Sequence, residues 1–248
     1  MRALLRSLAL FSVVPVRVHD ELTRDTAVAA LRWLPLVGAG LGAVAGLPAA
    51  AVRHWAPHAG LLGAVLSVCL LVLLTRALHL DGLADTADGL GSRAPAARAL
   101  EIMRASDIGP FGVLALVLVL LVDVSALAEL PGGPWAPVGA LALAAATGRV
   151  AVLVAAHRRV RSAHAAGFGA FVAGSVPTAV VAGEVVVLFA GALIAWRSGW
   201  VVAPAVALLV AVAFLAHVVR RLGGVTGDVF GALVELATAV TLVGLAFS

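Results

Sequence analysis

The sequence has no lysine, no tyrosine, a single cysteine and few charges of either sign. Each shortage excludes something. Charged residues make up 12% of the 248 positions and apolar ones 62%. Soluble domains carry about a quarter charged residues, so a water-soluble fold is excluded, as are disorder and a coiled coil. The lone Cys69, in LSVCLLVLL, allows no internal disulfide and reads as a small hydrophobe against lipid or in the core. Without lysine, the 17 basic residues are all arginine, set against 13 acids for a net charge of +4. The pI near 11.1 reports that arginine content. No basic stripe with interleaved aromatics is present, so nucleic acid is not an expected partner.

Long apolar runs are what the chain has in abundance. Mean hydropathy is +1.11, and about 20 apolar residues suffice to cross a bilayer. The runs 33–52, 60–78, 110–130, 136–157, 177–196, 200–218 and 229–247 qualify. The expected fold is all-α, a polytopic helical bundle with about seven transmembrane helices. It forms one integral membrane domain over residues 1–248, with the lipid bilayer as partner. PGGP at 131–134 and RSG at 197–199 read as tight hairpins, and Gly38, Gly40, Gly42 and Gly46 as a helix-packing face. The start, MRALLRSLALFSVVPV, resembles a signal peptide, but no small-x-small site precedes the charged patch Arg17–Asp25. An uncleaved interfacial or re-entrant segment is expected.

Arginine placement sets the orientation. With a cytoplasmic N-terminus, thirteen arginines fall in the inside segments 1–32, 79–109, 158–176 and 219–228, and only Arg53 and Arg197 outside. The long polar connections then share the cytoplasmic side, and chemistry is expected there.

The outstanding segment is HLDGLADTADG at 79–89. Asp81, Asp85 and Asp88 stand at i, i+4 and i+7, on one helical face. Three carboxylates so placed repel unless a cation neutralises them. Mg²⁺ suits hard oxygen ligands, and it completes its shell with water and substrate phosphates. A solvated acidic face is the plain alternative, but the surroundings are apolar. Downstream, Arg98, Glu101 and Arg104 fit a surface salt-bridge row, while Arg104 also suits a phosphate. Arg158, Arg159 and Arg161, followed by His164, suit topology or lipid head groups, with phosphate binding the minority use. RRLGGVTGDVFGALVEL at 220–236 sets Gly224 and Thr226 in a glycine-rich turn feeding a helix, an anion cradle. Asp228 and Glu235 share a face of that helix, Glu235 about 10 Å deeper. Asp123, Arg149 and Glu184 are lone charges in spans that could pair with one another.

Together HLDGLADTADG, LEIMRASDIG at 100–109 and RRLGGVTGDVFGALVEL resemble the adenosylcobinamide-GDP ribazoletransferases, or cobalamin synthases, over nearly the whole chain. Pro15 and the Pro35–Gly38 segment also fit. After LEIM the chain departs from the family pattern: Arg104-Ala105-Ser106-Asp107 displaces an acid by two positions and lacks a base. The resemblance implies a Mg²⁺-dependent last step of cobalamin (vitamin B12) biosynthesis. The substrates would be adenosylcobinamide-GDP and α-ribazole or its 5′-phosphate, with GMP released. It implies that Asp81, Asp85 and Asp88 hold the metal, Asp81 and Asp85 also serving catalysis. Arg104, Arg158, Arg159, Arg161, Gly224 and Thr226 would contact phosphates, and Asp228 would be a second metal ligand or the catalytic base. The implied address is a bacterial cytoplasmic (inner) membrane with the active site facing the cytoplasm, and the implied assembly leaves room for a homo-oligomer. Two other readings stay open. A membrane prenyltransferase would need a second dense Asp motif, where only Asp228 and Glu235 stand. An ion-coupled transporter would use Asp123, Arg149, Glu184 and Glu235, and would be expected to show an inverted repeat.

Overall fold

The computed structural model describes residues 2–17, 23–164, 167–194 and 198–248, without the side chains of 198 and 199. Its helices are α1 (Arg2–Phe11), α2 (Arg24–Leu31), α3 (Leu34–Trp55), α4 (Gly60–Leu74), α5 (Leu78–Gly91), α6 (Ala96–Ile102), α7 (Pro110–Ala128), α8 (Ala136–Ala155), α9 (Phe168–Val172), α10 (Thr178–Ile194), α11 (Ser198–Leu222) and α12 (Gly227–Ala246). The only β-type pairing among the described residues is two isolated bridges, His157 with Val176 and Ser162 with Val225. The all-α expectation holds.

Among the described residues, six helices are long and apolar enough to cross a membrane: α3, α4 with the turn that leads into it, α7, α8, α11 and α12. The remaining expected span, α10, has 17 residues, or about 25 Å of helix, at the short end of what crosses. Exposed apolar side chains such as Leu62, Leu66, Leu114, Leu118, Val186 and Leu209 coat α4, α7, α10 and α11. That coat is a lipid-facing belt.

The most buried helix, α8, is gripped on one side by α3. A Cβ at Gly38, Gly42 or Gly46 would strike the backbone of Ala145, Leu141 or Pro137 respectively, an antiparallel register advancing one turn at a time. Gly40 faces open space, so three of the four glycines serve packing. On its other side α8 meets α12, where Gly148 approaches the Val234 carbonyl.

One expectation about the connections changes. The run 60–78 is not one helix: α4 ends at Leu74, and Arg76 and Ala77 adopt left-handed backbone at φ 55° and 54°. Hydropathy misses this break because no Gly or Pro marks it. The connection 79–109 is mostly helix, with α5 packed between α7 and α12. The PGGP turn joins α7 to α8, with Gly132 at φ 111°. The 197–199 turn lies partly outside the described residues.

Candidate active site

Backbone contact between α5 and α12 builds the site. A Cβ at Gly82 would sit 2.6 Å from the Asp228 carbonyl oxygen, and one at Gly231 2.9 Å from the carbonyl oxygen of His79. Only glycine permits that approach, and it brings the acids flanking Gly82 beside Asp228. Thr226 caps α12: its hydroxyl accepts from the Val229 N–H (3.3 Å) and donates to Oδ2 of Asp228 (3.1 Å). The Asp228 carboxylate is thereby aimed.

The crossing opens into a cleft of about 450 Å³. Its polar lining is His79, Asp81, Arg104, Ser162, His164, Thr226 and Asp228, and its apolar wall includes Leu10, Phe11, Leu34, Val152, Phe168 and Phe230. Phe11 meets Phe168 edge to face, centroids 5.6 Å apart. Gly169 lets α9 lie against Thr226 and Gly227. The wall residues from α1 escaped the sequence reading, which took that helix as a membrane-surface element.

The predicted site residues divide. Asp81, Arg104, Thr226 and Asp228 line the cleft. Asp85 stands one turn along α5 from Asp81 and is half-buried. Its carboxyl is raised from 3.8 to about 6, first by burial and then by Asp228, Asp81 and Asp88. Asp88 turns elsewhere. Its Oδ2 accepts from the Gly109 N–H (2.7 Å) and its Oδ1 from the Gly112 N–H (2.9 Å), so this acid caps the N-terminus of α7, where anions are favoured. Arg158, Arg159 and Arg161 are exposed on the 156–164 loop and do not line the cleft. Gly224 is buried under that loop. A Cβ there would strike Ala163 and Arg161, whose backbones pair with Val225. Among the described residues no three His, Cys, Asp or Glu side chains converge tightly enough to enclose a metal ion.

His164, which the sequence placed after the arginine run, is, in addition to His79, an imidazole of the cleft. Burial and then Arg104 hold it below its ordinary pKa, against the pull of Asp228.

Beneath the cleft lies a second polar group. A cavity of about 10 Å³ is lined by Thr75, His79, Asp123, Arg149, Glu235 and Thr238, among apolar residues. Arg149, fully buried, directs Nη2 at Nδ1 of His79 (3.4 Å) and Nη1 at the Ala145 carbonyl (3.3 Å). Arginine cannot accept, so His79 Nδ1 does. Nδ1 also lies 4.0 Å from Oε1 of Glu235. Burial and Arg149 keep His79 well below its ordinary pKa, hence neutral. Asp123 interacts with Glu235 and leaves Oδ1 without a hydrogen-bond partner. The possible grouping of Asp123, Arg149 and Glu184 is thus corrected in part: Asp123 and Arg149 share this cavity with His79 and Glu235, whereas Glu184 lies in a separate apolar groove between α8 and α10. Side chains from four different helices form this group, a pairing that span-by-span reading could not find.

The family profile described as Cobalamin-5-phosphate synthase matches residues 3–246. The chain belongs to that family. A Frankia casuarinae protein named adenosylcobinamide-GDP ribazoletransferase is 38% identical over 96% of this chain and 92% of its own length. A Nocardioides protein of the same name is 39% identical over 95% and 94%. One from Escherichia coli O157:H7 is 40% identical over 85% of each. No solved structure matches the chain. The segments that carried the resemblance meet at the cleft: HLDGLADTADG supplies Asp81, with Asp85 one turn along, LEIMR supplies Arg104, and GGVTGD supplies Thr226 and Asp228.

Proposed function

We propose that this chain transfers α-ribazole, or its 5′-phosphate, onto adenosylcobinamide-GDP. The products are GMP and adenosylcobalamin, or its 5′-phosphate. The relatives' names support the substrates. The observation that carries the reading is Asp81, Asp228 and Arg104 lining one cleft that has an apolar wall opposite.

The chemistry is displacement at phosphorus. A ribazole hydroxyl oxygen forms a bond to the cobinamide-linked phosphorus, the bond from that phosphorus to the bridging oxygen breaks, and GMP leaves with the bridge oxygen. The hydroxyl proton goes to Asp228, whose carboxylate the Thr226 hydroxyl orients. Arg104 binds phosphate oxygens, and a planar guanidinium does so bidentately. Phe11, Phe168 and Phe230 exclude water and receive the flat apolar parts of the substrates. Such transfers ask a protein mainly for positioning and electrostatics.

Mg²⁺ fits the residues present. Burial raises the Asp85 carboxyl first, and the crowding of Asp228, Asp81 and Asp88 raises it further; that crowding is what a divalent cation would relieve. Asp81 and Asp85 would hold it, with Asp88 behind them as the acid that fixes α7. When bound, it would neutralise charge on the diphosphate.

Purified protein in detergent should form cobalamin and GMP in equal amounts from adenosylcobinamide-GDP and α-ribazole with Mg²⁺, and chelation should stop it. Failure to form either product would remove the function; turnover indifferent to chelators would remove the cation alone. The arginine bias supports a cleft facing the cytoplasm, and the bacterial relatives support a bacterial inner membrane. In a Cys69→Ser background, Arg93→Cys should resist an impermeant thiol reagent in intact cells. Its labelling would invert the orientation.

A further inference from the structure

His79 belongs to both polar groups. It lines the cleft and also the small cavity beneath, and it precedes Asp81 by two residues. Its helix begins badly. Arg76 and Ala77 both hold left-handed backbone, which non-glycine residues adopt only where their surroundings impose it, and no side chain caps α5. A feature near the chemistry must hold this start in place.

Two sets of contacts do so. Outside, Arg76 donates to the Leu10 carbonyl (3.2 Å) and the Val13 N–H to the Leu74 carbonyl (2.8 Å), tying the turn to the end of α1. Inside, Arg149 of α8 grips His79 Nδ1, Glu235 of α12 stands at 4.0 Å, and Thr75 and Asp123 complete the cavity wall. Gly38 of α3 leaves room for the Arg149 side chain, since a Cβ there would come within 2.8 Å of its Cδ. Replacing buried ions with apolar residues is often neutral or stabilising. Stability alone therefore does not account for an arginine, a histidine and two acids drawn from four helices to this point. Fixing geometry does.

We propose that His79 is a positioning residue for the transfer reaction: clamped by Arg149, it fixes the strained start of α5 so that Asp81 faces the cleft beside Asp228. The proposal rests on that cleft being the transfer site. A displacement of about 1 Å at reacting groups can cost about 10²-fold in rate, so small slack in α5 would be felt in kcat.

The test compares His79→Ala, His79→Asn and His79→Gln in the full-length protein, with Leu141→Ala as control. Leu141 lines the same cavity, is fully buried and makes no polar contact through its side chain. The readouts are kcat, KM for adenosylcobinamide-GDP and thermal midpoint. His79→Ala should lower kcat about 10²-fold with KM unchanged. His79→Asn should recover most of it, because its amide oxygen replaces Nδ1 as the acceptor for Arg149. Leu141→Ala should lower the midpoint and spare kcat. Rescue by Gln and not Asn would overturn the proposal, because the ring would then act through Nε2 in the cleft. Loss of kcat in Leu141→Ala in step with its midpoint would also overturn it. If His79→Ala does not reach the membrane folded, Asn against Gln makes the same decision. Wild-type protein that forms no product would refute the function itself, whereas active wild type with an unaffected His79→Ala would refute only the positioning role.

Discussion

The cleft and the cavity beneath it hold nearly the same chemical set. Each has two carboxylates and an arginine, Asp81, Asp228 and Arg104 above and Asp123, Glu235 and Arg149 below, with His164 above and His79 shared between them. What separates them is water. The upper set opens into a space large enough for substrate. The lower one closes around a volume that could admit about one water molecule, so its charges must answer one another. The same side chains serve transfer where a ligand can reach them and geometry where none can.

The largest effect should follow from removing a carboxylate above. Asp228→Asn should lower kcat by roughly 10²- to 10⁴-fold, the range that a general base contributes, with thermal midpoint kept. Asp81→Asn should do likewise, since an amide is a poor substitute for a charged metal ligand. Product formation and thermal melting in detergent check both. Below the cleft the sign of the trade reverses. Glu235→Gln preserves a hydrogen-bonding group but removes a charge facing Arg149, so it should cost stability of about 2–3 kcal/mol and reduce turnover far less than Asp228→Asn. An inactive, normally stable Glu235→Gln beside an active Asp228→Asn would exchange the roles of the two layers.

The sequence made the upper layer easier to read than the lower. Helical spacing puts Asp81 and Asp85 on one face, and a glycine-rich turn before an apolar helix marks Asp228, so local pattern finds the acids of the cleft though not its apolar wall. Spacing equally puts Asp88 on that face. It cannot reveal that the N-terminus of α7, about 20 residues on, docks on its carboxylate. The arginines at 158–161 were legible as a charge cluster, but where a loop points is decided by its pairing with Val225. The lower layer needs contacts between four helices. Single spans show only that a charge is buried, not which charge answers it.

A pH titration separates the layers again. The Asp85 carboxyl stands at about 6, above the usual 3.8. A raised carboxyl pKa means that the folded chain holds the proton more tightly than the unfolded one. Cation-free protein should therefore gain stability as pH falls from about 6 toward 3.8. The same proton competes with Mg²⁺. Half-saturating Mg²⁺ should rise up to about tenfold per unit below pH 6, and Asp85→Asn should abolish that dependence along with much of the activity. A half-saturation that stays flat from pH 7 to 5 would remove Asp85 from the cation's shell.

The smallest expected effect distinguishes Asp88 from its two neighbours on the same face. Both of its oxygens accept backbone N–H groups at the start of α7, and Gly109 and Gly112 leave no space for a Cβ against that carboxylate. Asparagine offers one acceptor oxygen, so Asp88→Asn should keep one capping bond and turn an amide toward the other N–H. Loss of a cap costs about 1 kcal/mol, and the lost negative charge at a helix N-terminus adds about 0.3–1 kcal/mol. Turnover should fall much less than in Asp81→Asn, because Asp88 reaches the reaction only through the placement of the 102–109 loop that carries Arg104. The deciding measurement pairs kcat with thermal midpoint. A lowered midpoint with near-normal kcat assigns Asp88 to the scaffold, whereas a normal midpoint with kcat as low as that of Asp81→Asn would return it to the cation.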